Sequence, residues 1–138
     1  MTSYNLDRVL RPASIAVIEA RIMKQMKSPD MRIIGLNSVG IICPHAKCNA
    51  SLLNPMTLPG KVAFISQSRS LCEATLDHAR RARVGFSHFV CVGSMLEVDF
   101  GDLINSLGSD PAVRSIVSMW KGSLECGNSS VPPVLLPG

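Results

Sequence analysis

Aromatic residues make up only 4% of this chain, with one Trp, one Tyr and four Phe. A core must therefore come from Ile, Val, Leu, Ala and Met, and a stacking platform for nucleic-acid bases is lacking. Charge is also sparse: charged residues are 17% of the 138, and the formal net charge is +4 at pH 7. Much of that excess sits in Arg80, Arg81 and Arg83, which read as a solvated helix face rather than a broad basic surface. No segment approaches the roughly 20 apolar residues of a membrane helix. Met1 to Arg11 is polar and charged, unlike a secretory signal. The five cysteines (Cys43, Cys48, Cys72, Cys91 and Cys126) are odd in number and scattered, the pattern of reduced thiols rather than a disulfide framework. Together these features predict a cytoplasmic protein with no nucleic-acid or membrane partner. The sequons at Asn49 and Asn128 are accordingly expected to stay unglycosylated.

Hydrophobic residues are nonetheless 46% of the chain, enough for one small domain. Ser14–Ile18 is a short apolar run that reads as a buried strand, and Met31–Gly35 as another. Arg21–Lys27 allows a helical turn or two. From Asn37 to Gly60 the chain is rich in Pro, Asn, Gly and Ser and reads as mainly loop, with an apolar stretch at Val39–Ile42. The clearest pattern follows. Val62–Ile65 is a buried strand. Arg69–Arg83 is an amphipathic helix with Cys72, Leu76, Ala79 and Ala82 on one face, and Gly85 suits its stop. Phe86–Val92 is a second strand. Phe100, Leu103, Ile104 and Leu107 repeat at helical spacing behind an Asp99 N-cap, with Gly108 at the end, and Ser115–Trp120 is a third strand. Strand, helix, strand, helix, strand predicts parallel crossovers in an α/β fold. The tail from Asn128 to Gly138 carries three prolines without periodicity and is expected to be disordered.

Several constellations bear on chemistry. Ser66-Gln67-Ser68-Arg69-Ser70 joins a buried strand to a helix, where unpaired N–H groups and the positive helix end converge with serine hydroxyls. Ser66, Ser68, Arg69 and Ser70 are therefore candidate phosphate ligands; the alternative is that the serines only cap the helix. Arg69 cuts both ways, since a guanidinium binds phosphate and its bulk obstructs the approach. A nucleophile elbow would need flanking glycines that this turn lacks. No catalytic residue is assigned, and His45, His78 and His88 find no evident role as a base. Cys43-Pro44-His45-Ala46-Lys47-Cys48 gathers three soft ligands without the second pair that zinc ordinarily takes, so no metal site is assigned. Asp99 and Asp102 read as helix-capping residues rather than an acid–base pair.

Six segments then resemble one family in order. Leu6–Ile18 resembles the opening of the CoA-binding domain of ADP-forming acetyl-CoA synthetases and of related bacterial protein lysine acetyltransferases. Met31–Ser38 resembles the Gly-Pro-Asn-Cys/Ser segment that ends that domain. Asn49-Ala50-Ser51, Lys61–Ser68, Asp99–Leu103 and Asp110-Pro111 follow. The chain is thus similar to the alpha part of NDP-forming acyl-CoA synthetases. The resemblance implies a partial parallel-sheet Rossmann/flavodoxin-like domain of succinyl-CoA-synthetase type over residues 61–127. A remnant of the CoA-binding domain over 1–30 and a linking segment over 31–60 would precede it, and the tail over 128–138 would follow. It implies CoA or acyl-CoA as ligand, with ADP or ATP reached only through missing domains, and a complete homologue or an ATP-grasp subunit as partner. An incomplete parallel sheet also predicts self-association.

The departures point away from catalysis by this chain alone. About ten residues stand between Ala20 and Met31 where the family has most of a Rossmann-like domain. Glu19 replaces the glycine that lets backbone approach the CoA phosphates, and a carboxylate there repels them. Leu36 replaces the proline of Gly-Pro-Asn, Arg69 a small residue, and Lys121 the expected glutamate. The phosphorylated histidine of the synthetases and the acetyltransferase domain of the other branch are both expected to lie beyond this C-terminus. The reading is a fragment of an acyl-CoA synthetase or acetyltransferase-like protein. The alternatives are a non-catalytic CoA- or phosphate-binding module and an interaction subunit.

Overall fold

A computed structural model describes Leu10, residues 32–54 and residues 56–122. The expected strand at Ser14–Ile18, the helical turn at Arg21–Lys27, Glu19 and the Asn128–Gly138 tail lie outside the described residues. Among those described, the elements are β1 (Gly40–Cys43), a 3-10 turn (Pro44–Ala46), β2 (Cys48–Ser51), β3 (Pro59–Ser66), α1 (Arg69–Arg81), β4 (Phe86–Cys91), α2 (Phe100–Gly108) and β5 (Ser115–Met119). The five strands form one sheet in the order β2-β1-β4-β3-β5. β3 pairs parallel with both β4 and β5, the α/β core that the alternating pattern predicts.

The second half of β3 and all of β4 are continuously buried because both faces of the sheet are covered. Side chains alternate across a strand, so Ala63 and Ile65 join Val90, Val98, Leu103 and Leu107 on the α2 side. Phe64 points the other way, to Phe89 and to Cys72, Leu76 and Ala79 of α1. The few aromatics are concentrated rather than spread. Phe64 stacks on Phe89 with centroids 4.8 Å apart, and Phe86 meets Phe89 edge-on at 5.2 Å, a favourable arrangement of ring quadrupoles. Phe100 stacks on Trp120 at 5.9 Å, which covers the start of α2.

Both helix starts follow the residues that predict them. Asp99 and Asp102 make a reciprocal capping box: Asp102 N–H donates to Asp99 Oδ1 at 2.9 Å, and Asp99 N–H to Asp102 Oδ2 at 3.3 Å. Helix ends differ from expectation. α1 stops at Arg81, and Arg83 (φ 54°), not Gly85, takes the left-handed conformation after it. Gly85 serves a different need: a Cβ there would lie 2.4 Å from the Pro59 carbonyl oxygen, so only glycine lets the two backbones approach.

Two further expectations change. The 37–60 stretch, read as mainly loop, holds the β1–β2 hairpin, whose β1 pairs antiparallel with β4; the sheet is mixed, not wholly parallel. Its turn is compact because Pro44 opens a 3-10 turn and Lys47 accepts a left-handed φ of 51°. Arg32–Gly35, read as part of a strand, pairs with no strand; Arg32 Nε meets Glu97 Oε1 at 3.2 Å and Ile33 N–H donates to Glu97 Oε2 at 2.8 Å.

Gly93 and Gly108 should respond oppositely to alanine. Gly93 sits at φ +57° with the Leu36 carbonyl oxygen 1.9 Å from any added Cβ. Gly108 is helical with nothing within 4 Å. Gly93→Ala is expected to destabilise by about 2 kcal/mol or more through strain and clash, and Gly108→Ala to stabilise by about 0.5 kcal/mol. Urea denaturation midpoints of the two variants check both signs.

Candidate anion-facing crevice

β3 and β4 lie side by side, yet the chain leaves β3 for the α1 face and β4 for the α2 face. A crevice outside the carboxyl ends of two such strands is the common ligand position in open α/β sheets. Ser66 and Cys91, in register, end the two strands there.

One wall is the Ser66–Ser70 turn. Ser66 is buried; its carbonyl accepts from Val92 N–H at 2.8 Å and its hydroxyl accepts from Ser68 N–H at 3.1 Å. Ser68 is the N-cap of α1 in extended conformation, and its Oγ accepts from Leu71 N–H at 3.4 Å and lies 3.2 Å from Ser70 Oγ. Cys72 N–H is taken by the Ser68 carbonyl at 2.9 Å, so of the helix's leading N–H groups those of Arg69 and Ser70 remain for solvent or a ligand. Arg69 and Ser70 are both exposed. The turn therefore brings Ser68, Arg69 and Ser70 to one helix end, with Ser66 recessed beneath them. Gln67, which the pattern of hydroxyls does not single out, tethers the far side: its Oε1 accepts from Lys121 N–H at 3.2 Å.

The other wall joins residues 35–40 to the loop after β4. Ser94 N–H donates to the Leu36 carbonyl at 2.8 Å and Leu96 N–H to that of Gly35 at 3.2 Å. Ser38 Oγ donates to the Cys91 carbonyl at 2.5 Å and accepts from Gly40 N–H at 2.8 Å. Asn37 Nδ2 donates to Ser94 Oγ at 3.3 Å.

In the core beneath α1 lies a thiol pair that sequence reasoning passed over. Cys72 and Cys91 are both buried and hydrogen-bonded to each other. Cys72 donates, which together with burial pushes its own thiol up from the ordinary range. The Cys91 sulfur accepts from Cys72 and from the Val39 and Gly93 backbone N–H groups, and is held down at about 6 against the cost of burial. The only signal in the sequence was position: one cysteine a turn into a helix, the other closing the next strand.

The histidines and remaining candidates are dispersed. His45 Nε2 lies 2.8 Å from the Gly60 carbonyl oxygen, His78 is exposed on α1, and buried His88 has its Nε2 3.9 Å from Asp110 Oδ2. Lys121 is exposed beyond β5.

With this geometry in place, comparison with known proteins gives a consistent result. Residues 59–123 match the succinyl-CoA ligase like flavodoxin domain. The alpha subunit of acetate–CoA ligase [ADP-forming] II from Pyrococcus furiosus is 39% identical over 92 residues, covering 67% of this chain and 20% of that protein. The chain belongs to the NDP-forming acyl-CoA synthetase family. A second Pyrococcus furiosus synthetase subunit, alpha of acetate–CoA ligase [ADP-forming] I, is 31% identical over 105 residues, covering 76% of this chain and 23% of that subunit. A solved synthetase structure, the dinucleotide forming acetyl-coenzyme A synthetase 1 of Ca. Korarchaeum cryptofilum in complex with phosphate and ADP, superposes with a TM-score of 0.64. It shares 32% identity and covers 70% of this chain and 21% of that one. The chain spans about a fifth of the length of these synthetase relatives.

The thiol pair makes stability depend on pH. A group whose folded pKa is depressed adds stability that is complete above its unfolded value and is lost as pH falls through the folded one. For Cys91 that window runs from 9.0 down to about 6. The raised Cys72 acts in the opposite sense, but only above 9.0. The urea midpoint should therefore rise between pH 6 and 9, and Cys91→Ser should flatten that rise; an unchanged slope in the variant would refute the assignment.

Proposed function

We propose that this chain carries the phosphate-facing part of a synthetase alpha region and does not complete the synthetase reaction alone. The parent reaction interconverts acyl-CoA, phosphate and ADP with a carboxylic acid, CoA and ATP. The observation that carries the reading is the crevice at the carboxyl ends of β3 and β4, where the start of α1 presents Ser68, Arg69 and Ser70 above Ser66. The helix dipole, the N–H groups of Arg69 and Ser70 and a guanidinium all favour an anion there. The phosphate and ADP bound to the Korarchaeum relative are the ligand chemistry that such a crevice suits.

CoA is a weaker ligand in this proposal, because by the sequence resemblance Glu19 replaces the family's phosphate-approaching glycine. ADP or ATP is reached through a partner rather than by this chain. The relatives are named as alpha subunits, which favours an ATP-grasp subunit or a complete homologue as that partner. Among the described residues β5 is an edge strand, with Val117 and Met119 exposed on it, Trp120 exposed just beyond and no charged residue within it, which supports docking of such a partner there. The same edge favours self-association and supports the second reading, an interaction subunit. The reduced cysteines and the absence of a membrane-spanning helix among the described residues support a cytoplasmic site of action.

Each contact at an exposed helix start is worth on the order of 1 kcal/mol, so affinity for inorganic phosphate should reach only about millimolar. Phosphate titration is expected to shift the backbone amide resonances of residues 66–71. The Ser68→Ala/Arg69→Ala double variant should abolish those shifts; their persistence, or their absence from the parent chain, would exclude the anion site.

Purified chain supplied with acetyl-CoA, ADP and phosphate is expected to form no ATP. ATP production in a preparation cleared of contaminating synthetase would overturn the non-catalytic reading.

A further inference from the structure

Outside the crevice, the β1–β2 hairpin places two cysteines opposite each other. Cys43 and Cys48 are register partners at its closed end. Leu52 N–H donates to the Val39 carbonyl one step beyond Gly40–Ser51, and counting along the alternating antiparallel ladder makes Cys43–Cys48 a hydrogen-bonded pair. Such a pair holds its Cα atoms about 5.5 Å apart, within the range of about 4.4–6.8 Å that a disulfide spans. Directly opposed residues project to one face, and here both contribute to the α2-side core, Cys43 within it and Cys48 against its margin. Both cysteines are reduced. Cys43 is buried, whereas Cys48 is half-buried on β2, the outermost of the described strands on that side of the sheet.

We propose that Cys43 and Cys48 form a cross-strand dithiol that low-molecular-weight disulfides of the glutathione type convert to an intramolecular disulfide. The more accessible Cys48 thiolate attacks the small disulfide, forming a mixed disulfide and releasing one thiolate. Cys43 then loses its proton to solvent, and its sulfur attacks the Cys48 sulfur and displaces the second thiolate. In sum, two protein thiols and one small disulfide give one protein disulfide and two small thiols, with no net redox change outside that exchange. Directly opposed Cβ atoms lie about 4.5–5.5 Å apart against roughly 3.8 Å in a disulfide, so closing the bond draws the two strands together at the hairpin end, and an excess of the small thiol runs the exchange backward. The site is independent of the anion crevice, since no step involves Ser66–Ser70.

The test uses the folded chain equilibrated with oxidised and reduced glutathione, alkylated with N-ethylmaleimide and digested with trypsin without reduction. Cleavage after Lys47 separates the two cysteines into peptides Ile33–Lys47 and Cys48–Lys61, and Cys72, Cys91 and Cys126 fall in three others. The expected product is Ile33–Lys47 joined to Cys48–Lys61, persisting in a Cys72→Ser/Cys91→Ser variant and reversed by dithiothreitol. The thiol–disulfide equilibrium constant against glutathione should be at least tenfold more favourable to the disulfide in the folded chain than in urea. Three results would overturn the proposal: both peptides fully alkylated, a stable glutathione adduct left on Cys48, or equal constants in folded and unfolded chain, which would make the link a matter of sequence proximity alone.

Discussion

The parallel contact between β3 and β4 is the constraint on which the rest of this molecule depends. Parallel strands cannot be joined by a tight turn, so α1 must cross one face between them, and the onward path through α2 covers the other. Both faces are then dry, which is why Val62–Ile65 reads as an unbroken apolar run, why every residue of Phe86–Cys91 is buried, and why Phe64, Phe86 and Phe89 gather in a single cluster. The same departure to opposite faces makes the carboxyl ends of the two strands the candidate site.

That crevice is built mostly from backbone. Val92 N–H on the Ser66 carbonyl, Ser94 N–H on Leu36 and the Ser38 hydroxyl on Cys91 lock the two walls, and Gly93 permits the closest approach. The arrangement leaves two sulfurs inside the wall and the hydroxyls of Ser68 and Ser70 at its rim.

Much of this was legible from residue order. The helices announced themselves through Cys72–Leu76–Ala79 and Phe100–Leu103–Leu107, and Asp99 with Asp102 marked a helix start because capping chemistry is local. The hairpin was not legible, because its polar and small residues carry no alternation and its turn depends on Lys47 accepting a left-handed conformation, as no Asn-Gly pair advertises it. The Arg83 stop was masked by the nearby Gly85, whose real constraint is the Pro59 carbonyl. The serines of the Ser66–Ser70 turn could be placed at a helix start, but the long-range contacts of that turn, Val92 N–H on the Ser66 carbonyl and Lys121 N–H on the Gln67 side chain, are encoded by no spacing.

β3 occupies the middle of the parallel trio, and both of its hydrogen-bonding neighbours, β4 and β5, come later in the chain. β1 likewise bonds to β4 rather than to β3. During synthesis, therefore, the hairpin and β3 emerge with nothing between them to join, and only the arrival of Phe86–Cys91 supplies the missing plank. At ribosomal rates of about 5–20 residues per second, that leaves the apolar stretch Val62–Ile65 without its sheet for on the order of a second or more. For a nascent chain this is an order-of-assembly problem rather than a stability problem, and the window falls where a chaperone would find its most hydrophobic strand still unpaired.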